Sequence, residues 1–311
     1  MPAAHHPLDG LSVLERGWLS SNNILIHAVD GEDGAVLVDS SHVNHAELTV
    51  ALVRDALRGG RLGRLFNTHL HCDHCGGNAT LQRAFGVPVI VPPGSADAVR
   101  AWDAARLTYE ASGQRCERFE VSATISPGDH FVAGGRRWEV LAAPGHDPDS
   151  VMLFDAGRGV LISADALWER GFGVVFPEIA GEPGFDDVAA VLDAIGRLPV
   201  RVVIPGHGAP FTDVAAALAN ARSRLAGFHA DPARRARHAA KVLIKYHLME
   251  ERRQPLDALL RRAATTPMLV ALWARHGLRH SKTPAAWAEQ FVHDLVGAGA
   301  LALQDGVVSN L

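Results

Sequence analysis

The segment Thr68-His69-Leu70-His71-Cys72-Asp73-His74 sets three histidines and an aspartate within six residues, directly after an apolar run. Imidazoles and carboxylates packed this closely are poor core residues, because each needs a partner once it is taken from water. The alternatives are a polar loop of helix-capping side chains or a metal site. Three more ligand-type residues in matching contexts favour the metal. His146 stands in Ala143-Pro144-Gly145-His146-Asp147, Asp165 in Ser163-Ala164-Asp165, and His207 in Pro205-Gly206-His207-Gly208. Each follows an apolar run of strand character, so all seven ligand candidates are expected along one sheet edge. The glycines beside His146 and His207 allow sharp backbone turns there. Five imidazoles and two carboxylates without a thiolate suit zinc first, with iron or manganese as alternatives. Two divalent ions would leave such a site net positive, which favours hydroxide and an anionic transition state.

Other candidates are weaker. Cys72 and Cys75 form a C-x-x-C, but with no second such pair they read as small buried residues flanking the histidine loop. Cys116 has no partner in sequence. Asp147 and Asp149 follow His146 and suit capping or support of the ligands. Trp168 and Arg170 follow Asp165 closely enough to line a substrate mouth, or to be surface loop residues. The Gly- and Pro-containing loop 169–184 suits a lid. Of the 17 histidines, His5, His6, His229, His238, His276, His280 and His293 show no ligand pattern.

The elements that must position these residues alternate between strand and helix. Apolar runs at 23–29 and 34–39, joined by the turn sequence Asp30-Gly31-Glu32-Asp33-Gly34, predict a hairpin. A periodic helix follows with Asn44 as its cap and Leu48, Leu52, Val53, Ala56 and Leu57 on one face. Strands are expected at 64–67, 87–91, 137–142, 151–154, 160–163 and 201–204. Helices are expected at 79–85, 95–106 and 185–197. After Asp213 the pattern turns helical, at 214–227, 232–253, 256–264, 267–276 and 284–297. Two short segments around Gln304-Asp305 then suggest a small hairpin and a winged-helix-like module. The expected division is residues 1–218 as a metal-binding hydrolase domain and 219–311 as a helical C-terminal domain.

Charge supports two parts. Residues 219–311 carry 14 Lys/Arg against 7 Asp/Glu, whereas the whole chain has net charge −4. The basic tail is either a set of solvated helix faces or a surface for an anionic substrate, nucleic acid or partner. With 48% hydrophobic and 21% charged residues over 311 positions, a disordered or fibrous chain is excluded and a sizeable core is expected. No apolar stretch is long enough to span a membrane. The N-terminal ten residues lack the pattern of a secretory signal. Three cysteines are too few for a disulfide scaffold, so a cytoplasmic location is expected.

The complete HxHxDH motif His69-Leu70-His71-Cys72-Asp73-His74, followed by His146, Asp165 and His207, resembles the metallo-β-lactamase superfamily over roughly residues 20–215. The resemblance implies an α/β fold, a four-layer αβ/βα sandwich with two metals at one edge. It implies that His69, His71 and His146 hold one ion, that Asp73, His74 and His207 hold the other, and that Asp165 bridges them. Asp73 and Asp165 are also the catalytic carboxylates in that reading.

Within the superfamily, an aspartate at the bridging position is typical of glyoxalase II-like thioesterases, lactonases, phosphodiesterases and RNA-processing members. Class B β-lactamases usually have Cys or Ser there, so Asp165 argues against antibiotic hydrolysis. The helical tail is similar in plan to that of glyoxalase II, but the stretch Asp165 to Gly173 departs from the GCGR-type sequence typical after its bridging aspartate. The expected function is therefore hydrolysis of a small ester or thioester by a metal-bridging hydroxide. A phosphodiesterase, ribonuclease or lactonase is the alternative, and a non-catalytic regulatory protein ranks below both. The expected partner is a small acyl substrate, with nucleic acid ranked lower because the tail's basic residues are not interleaved with aromatics. Oligomeric state is left open.

Overall fold

The computed structural model describes residues 6–311. His5 lies outside them. Six strands form a first sheet: β1 (Leu11–Leu14), β2 (Asn23–Ile26), β3 (Ala35–Val38), β4 (Leu62–Phe66), β5 (Val89–Val91) and β6 (Ala123–Thr124), paired in that order. The first three run antiparallel and the rest join in parallel. Five more form a second sheet: β7 (His130–Ala133), β8 (Arg136–Ala142), β9 (Val151–Asp155), β10 (Val160–Ala164) and β11 (Val202–Pro205). Their order is β11-β10-β9-β8-β7, with only the β10–β11 pair parallel.

The two-residue side-chain period of a strand sorts the core into layers. Ile24 and Ile26 of β2 face inward with Val36, Val38, Trp138, Leu153, Val160 and Ile162, filling the space between the sheets. Leu25, between them in sequence, points the other way. It packs with Leu37 and Leu65 against α1 (Ala46–Leu57), through Val50 and Val53, and against α3 (Asn78–Phe85), through Leu81. On the far side, Met152, Phe154, Leu161 and Val203 pack against α7 (Phe185–Arg197) and α8 (Val214–Ala230). The result is the expected four-layer sandwich. Short helices fill the connections: α2 (Cys72–Cys75), α4 (Pro93–Ala101), α5 (Tyr109–Ser112) and α6 (Phe176–Ala180).

The C-terminal region has a core of its own, built around Leu243, Ile244, Leu248, Trp287, Phe291 and Val308. It comprises α9 (Pro232–Glu251), β12 (Arg253–Pro255), α10 (Leu256–Ala263), α11 (Pro267–Leu272), α12 (Pro284–Gly297), β13 (Leu301–Gln304) and β14 (Val307–Asn310). β14 lies between β12 and β13, all antiparallel. A helix, a strand, three helices and a hairpin that closes onto the first strand resemble the plan of a winged helix with one helix added. Asp213 and Asp231 cap α8 and α9 by accepting from the N–H groups of Ala216 and Arg234. No helix among the described residues is long and apolar enough to cross a membrane.

Several local expectations are corrected. Asn44 does not cap α1. It lies in a 3-10 turn, Val43–His45, whose cap is the His42 side chain, and Asn44 Nδ2 donates instead to the Glu250 carbonyl at 3.0 Å. The helix expected at 95–106 ends at Ala101, because Trp102 turns left-handed at φ 54°. The segment expected as helix at 267–276 leaves α-geometry at Trp273 and passes into a π-turn. β1, β6 and β7 were not expected. Their residues are mostly half-buried or exposed, so no apolar run marks them.

Candidate metal centre

The carboxyl ends of four strands meet at one edge of the sandwich. β4 runs out into Asn67, Thr68 and the histidine loop, β8 leads to His146, β10 to Asp165 and β11 to His207. Two of these exits are tightly constrained. The β10–β11 register shifts at Ala164, which takes φ 47° and so re-aims Asp165. Gly206 has no room for a side chain: a Cβ there would meet the Asp165 carboxylate and the His74 ring. The short sequence Pro205-Gly206-His207 is thus dictated by close packing against the site.

All seven expected residues are brought together and buried. His69, His71 and His146 form one cluster, and Asp73, His74, Asp165 and His207 a second, with ligand atoms in each within 4.8 Å of one another. His146 Nε2 lies 2.7 Å from His71 Nδ1 and 3.2 Å from His69 Nε2. In the second cluster His207 Nε2 is 3.1 Å from Asp73 Oδ2. Asp165 spans the two. Its Oδ2 is 3.4 Å from His146 Nε2, and its Oδ1 is 3.5 Å from His74 Nε2 and 3.8 Å from His207 Nε2.

Hydrogen bonds on the outer side of the rings fix which nitrogen faces inward. Asp39, at the end of β3, accepts from the Thr68 N–H and the Thr68 hydroxyl, each at 2.8 Å, and from His74 Nδ1 at 2.7 Å. Because the Thr68 hydroxyl proton is given to Asp39, its oxygen accepts from His69 Nδ1 at 3.1 Å. His146 Nδ1 donates to the Val174 carbonyl at 2.6 Å. Three imidazoles therefore direct Nδ1 to these acceptors and turn Nε2 toward the centre. This is the outer support that metal-binding histidines need. Buried His74 Nε2 reaches no hydrogen-bond partner of its own. Imidazole nitrogens and carboxylate oxygens converging this closely fit a cation, and the donor set fits a divalent one.

The electrostatics agree. Burial, followed by the neighbouring imidazoles, holds His69 well below the usual histidine range and His71 at about 3, so both are neutral donors. Burial also lowers His146. Burial alone would raise Asp73 and Asp165, but the adjacent His74 and His207 outweigh it. Asp73 titrates at about 2 and Asp165 well below the carboxylate range. Burial would likewise lower His74, yet Asp39, Asp165 and Asp73 together raise it. A concentration of ionised carboxylate around His74 is what a bound cation would neutralise. Asp147, 3.7 Å from His71 Nε2, is pushed up to about 6 by burial.

Residues 16–207 match the family model described as the metallo-beta-lactamase superfamily. The chain belongs to that superfamily. A hydroxyacylglutathione hydrolase of Brucella anthropi is 27% identical over 249 residues, covering 78% of this chain and 82% of the relative. One from Brucella ovis is 27% identical over 237 residues, covering 75% and 79%. Among solved structures, a metallo-beta-lactamase family protein from Thermus thermophilus is 21% identical with a TM-score of 0.53, covering 98% of this chain and 99% of that one. A beta-lactamase domain protein from Burkholderia ambifaria is 23% identical with a TM-score of 0.55, covering 99% and 94%. At these identities the structural likeness speaks for the fold alone, and it extends across the C-terminal region.

In this member of the superfamily the candidate metal centre opens into a cavity of about 480 Å3 whose exposed wall is mostly apolar surface, with charged side chains set into it. Trp168 lines it, and its Nε1–H donates to Asp165 Oδ1 at 3.2 Å. Arg170 does not line it and is exposed. Val174 and Phe176 from loop 169–184 form one wall, and Phe176 lies against the His71 ring at 4.2 Å. Residues of α9 form another wall, among them Tyr246, whose hydroxyl is 3.0 Å from Cys72 Sγ.

Cys72 and Cys75 are buried and free, as expected of packing residues. Cys116, without a partner in sequence, stands 3.8 Å from Cys75 Sγ. Asp149 sits apart from the centre and accepts from the Ser95 hydroxyl at 2.8 Å. Sequence reasoning missed Asp39, Trp18 (stacked on His207 at 5.4 Å) and the α9 wall. The strand-to-polar transition Val38-Asp39 carried the same signal that marked Asp165. Trp18 and Tyr246 carried none.

Proposed function

We propose that the protein is a dinuclear metallohydrolase that cleaves an ester or thioester of a small, largely apolar acyl substrate. His69, His71 and His146 would hold one divalent cation and Asp73, His74 and His207 the other, with Asp165 shared. Zinc suits the donor set first, and iron or manganese are the alternatives. Such a pair supplies Lewis acidity to the carbonyl oxygen and acidifies water to a nucleophile near neutral pH.

The chain's own residues do the rest. Asp39, Thr68 and the Val174 carbonyl keep the Nδ1 protons of His74, His69 and His146 pointing outward, so the donor atoms are set before anything binds. Asp73 and Asp165 stay ionised down to low pH because imidazoles surround them. Trp168 fixes the orientation of Asp165 through its indole N–H. Trp18, Phe176 and the α9 wall enclose the acyl group and exclude bulk water. A thiolate leaves without protonation, so no separate acid on the leaving side is required.

The observation that carries this reading is Asp165, with one carboxylate oxygen toward each histidine cluster, at the inner end of a cavity whose exposed wall is mostly apolar. The relatives named hydroxyacylglutathione hydrolases support the same reading. Against a nuclease, α12 occupies the place of a winged helix's recognition helix, yet it carries Glu289 and Asp294 and no Lys or Arg. In this reading residues 1–218 carry the metal chemistry and residues 219–311 complete the wall around the substrate. Three free thiols suit a reducing cytoplasm. The test is a screen of metal-loaded protein against acyl thioesters, esters, lactones and phosphodiesters. Turnover of acyl compounds is expected. Turnover of phosphodiesters alone, or of nothing, would contradict it.

A further inference from the structure

Three cations line the cavity on the C-terminal side, and two of them are already engaged. Lys241 pairs with Asp294 at 2.6 Å, and Lys245 donates to the carbonyls of Ala300 at 2.5 Å and Leu311 at 3.3 Å. Arg224, from α8, has neither a carboxylate nor a carbonyl among the described residues. One of its five N–H donors goes to His238 Nε2 at 2.7 Å. Its guanidinium otherwise lies over the rings of Phe172 and Phe228, at 5.5 and 5.4 Å.

A guanidinium held among aromatic rings without an anion loses hydration that nothing in the protein replaces. The rings return part of it. The remaining donors, in a rigid fork, match the paired oxygens of a carboxylate or phosphate. The surroundings are built to keep the side chain there. A Cβ at Gly171, where φ is 125°, would strike the Arg224 side chain, so glycine is what lets it pass. Trp168 N–H bonds the Gly171 carbonyl at 2.7 Å. The turn that carries Trp168 to Asp165 thus carries Gly171 to Arg224, which couples the two places rigidly.

We propose that Arg224, oriented by His238, binds an anionic group of the substrate, a carboxylate or a phosphate, that is separate from the scissile acyl bond. The identification of that ligand as a substrate rests on the hydrolase reading above. The anion site itself rests on the unpaired guanidinium in the cavity wall. The substrate class becomes an acyl ester or thioester with an apolar middle and an anionic end.

The test is calorimetric titration of succinate and of inorganic phosphate into the metal-loaded protein. It compares the unaltered chain with Arg224→Met, Arg224→Lys and the exposed control Arg106→Met. Either anion that also meets the metals does so equally in all four. Arg224→Met should weaken at least one anion by roughly tenfold, the cost of a lost charge-assisted hydrogen bond, and Arg106→Met should change neither. The anion that loses affinity tells carboxylate from phosphate. If Arg224→Met does not fold, Arg224→Lys carries the same comparison, because it keeps the charge and removes the fork. Equal affinities of the unaltered chain and the Arg224 variants for both anions, or no binding of either, would overturn the proposal. Binding is read without turnover, so an inert ester screen would remove the hydrolase reading while leaving this result to stand or fall separately.

Discussion

The Asp39 carboxylate, at the end of β3, lies 2.7 Å from Nδ1 of His74, on the side of the ring that faces away from the other donors. Asp39 touches neither cluster's inward atoms, yet it fixes the tautomer of His74 directly and that of His69 through Thr68. Asp39→Asn keeps the volume and removes the acceptor charge. Metal affinity, measured by competition with a chromophoric chelator, should fall roughly 10–100-fold. Unchanged affinity would mean that the two rings are held by packing alone.

Gly206→Ala adds one methyl group against the Asp165 carboxylate and the His74 ring. The backbone of β11 is fully buried and has little freedom to retreat. We expect hydrolytic kcat/KM to fall by roughly 100-fold, with reduced metal content, as small displacements of a reacting centre do. Activity within a factor of two of the original would show that the edge of β11 yields more easily than its packing implies.

Cys72→Ser together with Cys75→Ser leaves all seven candidate ligands untouched. Cys72 Sγ contacts Gln114 and Tyr246, and Cys75 Sγ contacts Tyr109 and Cys116, none of them a metal donor. The double variant should retain metal and turnover, with at most a lowered Tm from two buried hydroxyls. Loss of metal in elemental analysis would give the thiols a ligand role that their positions do not suggest.

His238 and His247 both titrate at about 4, below the usual 6.5, because burial disfavours the imidazolium and nearby arginines add to the effect. As pH falls, the unfolded chain takes up these protons first. The stability they confer is complete above about pH 6.5 and is lost between there and about pH 4. Tm should therefore drop between pH 7 and pH 5, and His247→Gln should shrink the drop. A Tm that is level or rising over that interval would contradict the sign.

The seven candidate ligands were legible in the sequence because the histidine loop is contiguous, and because His146, Asp165 and His207 each follow an apolar strand that ends in the same way. Their chemistry is written in residue types that have few other uses at such density. Asp39 ends its strand similarly, but a single carboxylate has many ordinary roles, and only the fold brings it to His74. The cavity was illegible for a different reason. One of its walls comes from α9, more than thirty residues beyond the last candidate ligand, and helical periodicity tells which face is apolar without telling what it faces. His238 was set aside for want of a neighbouring ligand pattern, yet its partner Arg224 lies on the preceding helix. β1 and β7 escaped notice because exposed and half-buried strands do not show an unbroken apolar run.

The central claim is that Asp165 joins two histidine clusters into one centre holding two cations. Anomalous diffraction from crystals of the purified, metal-loaded protein tests it most directly. The account predicts two peaks in the difference map, one against His69, His71 and His146 and one against Asp73, His74 and His207, with Asp165 reaching both. It also predicts that Asp165→Ala depletes them. A map with no peak, with a single peak, or with metal away from these side chains would contradict it.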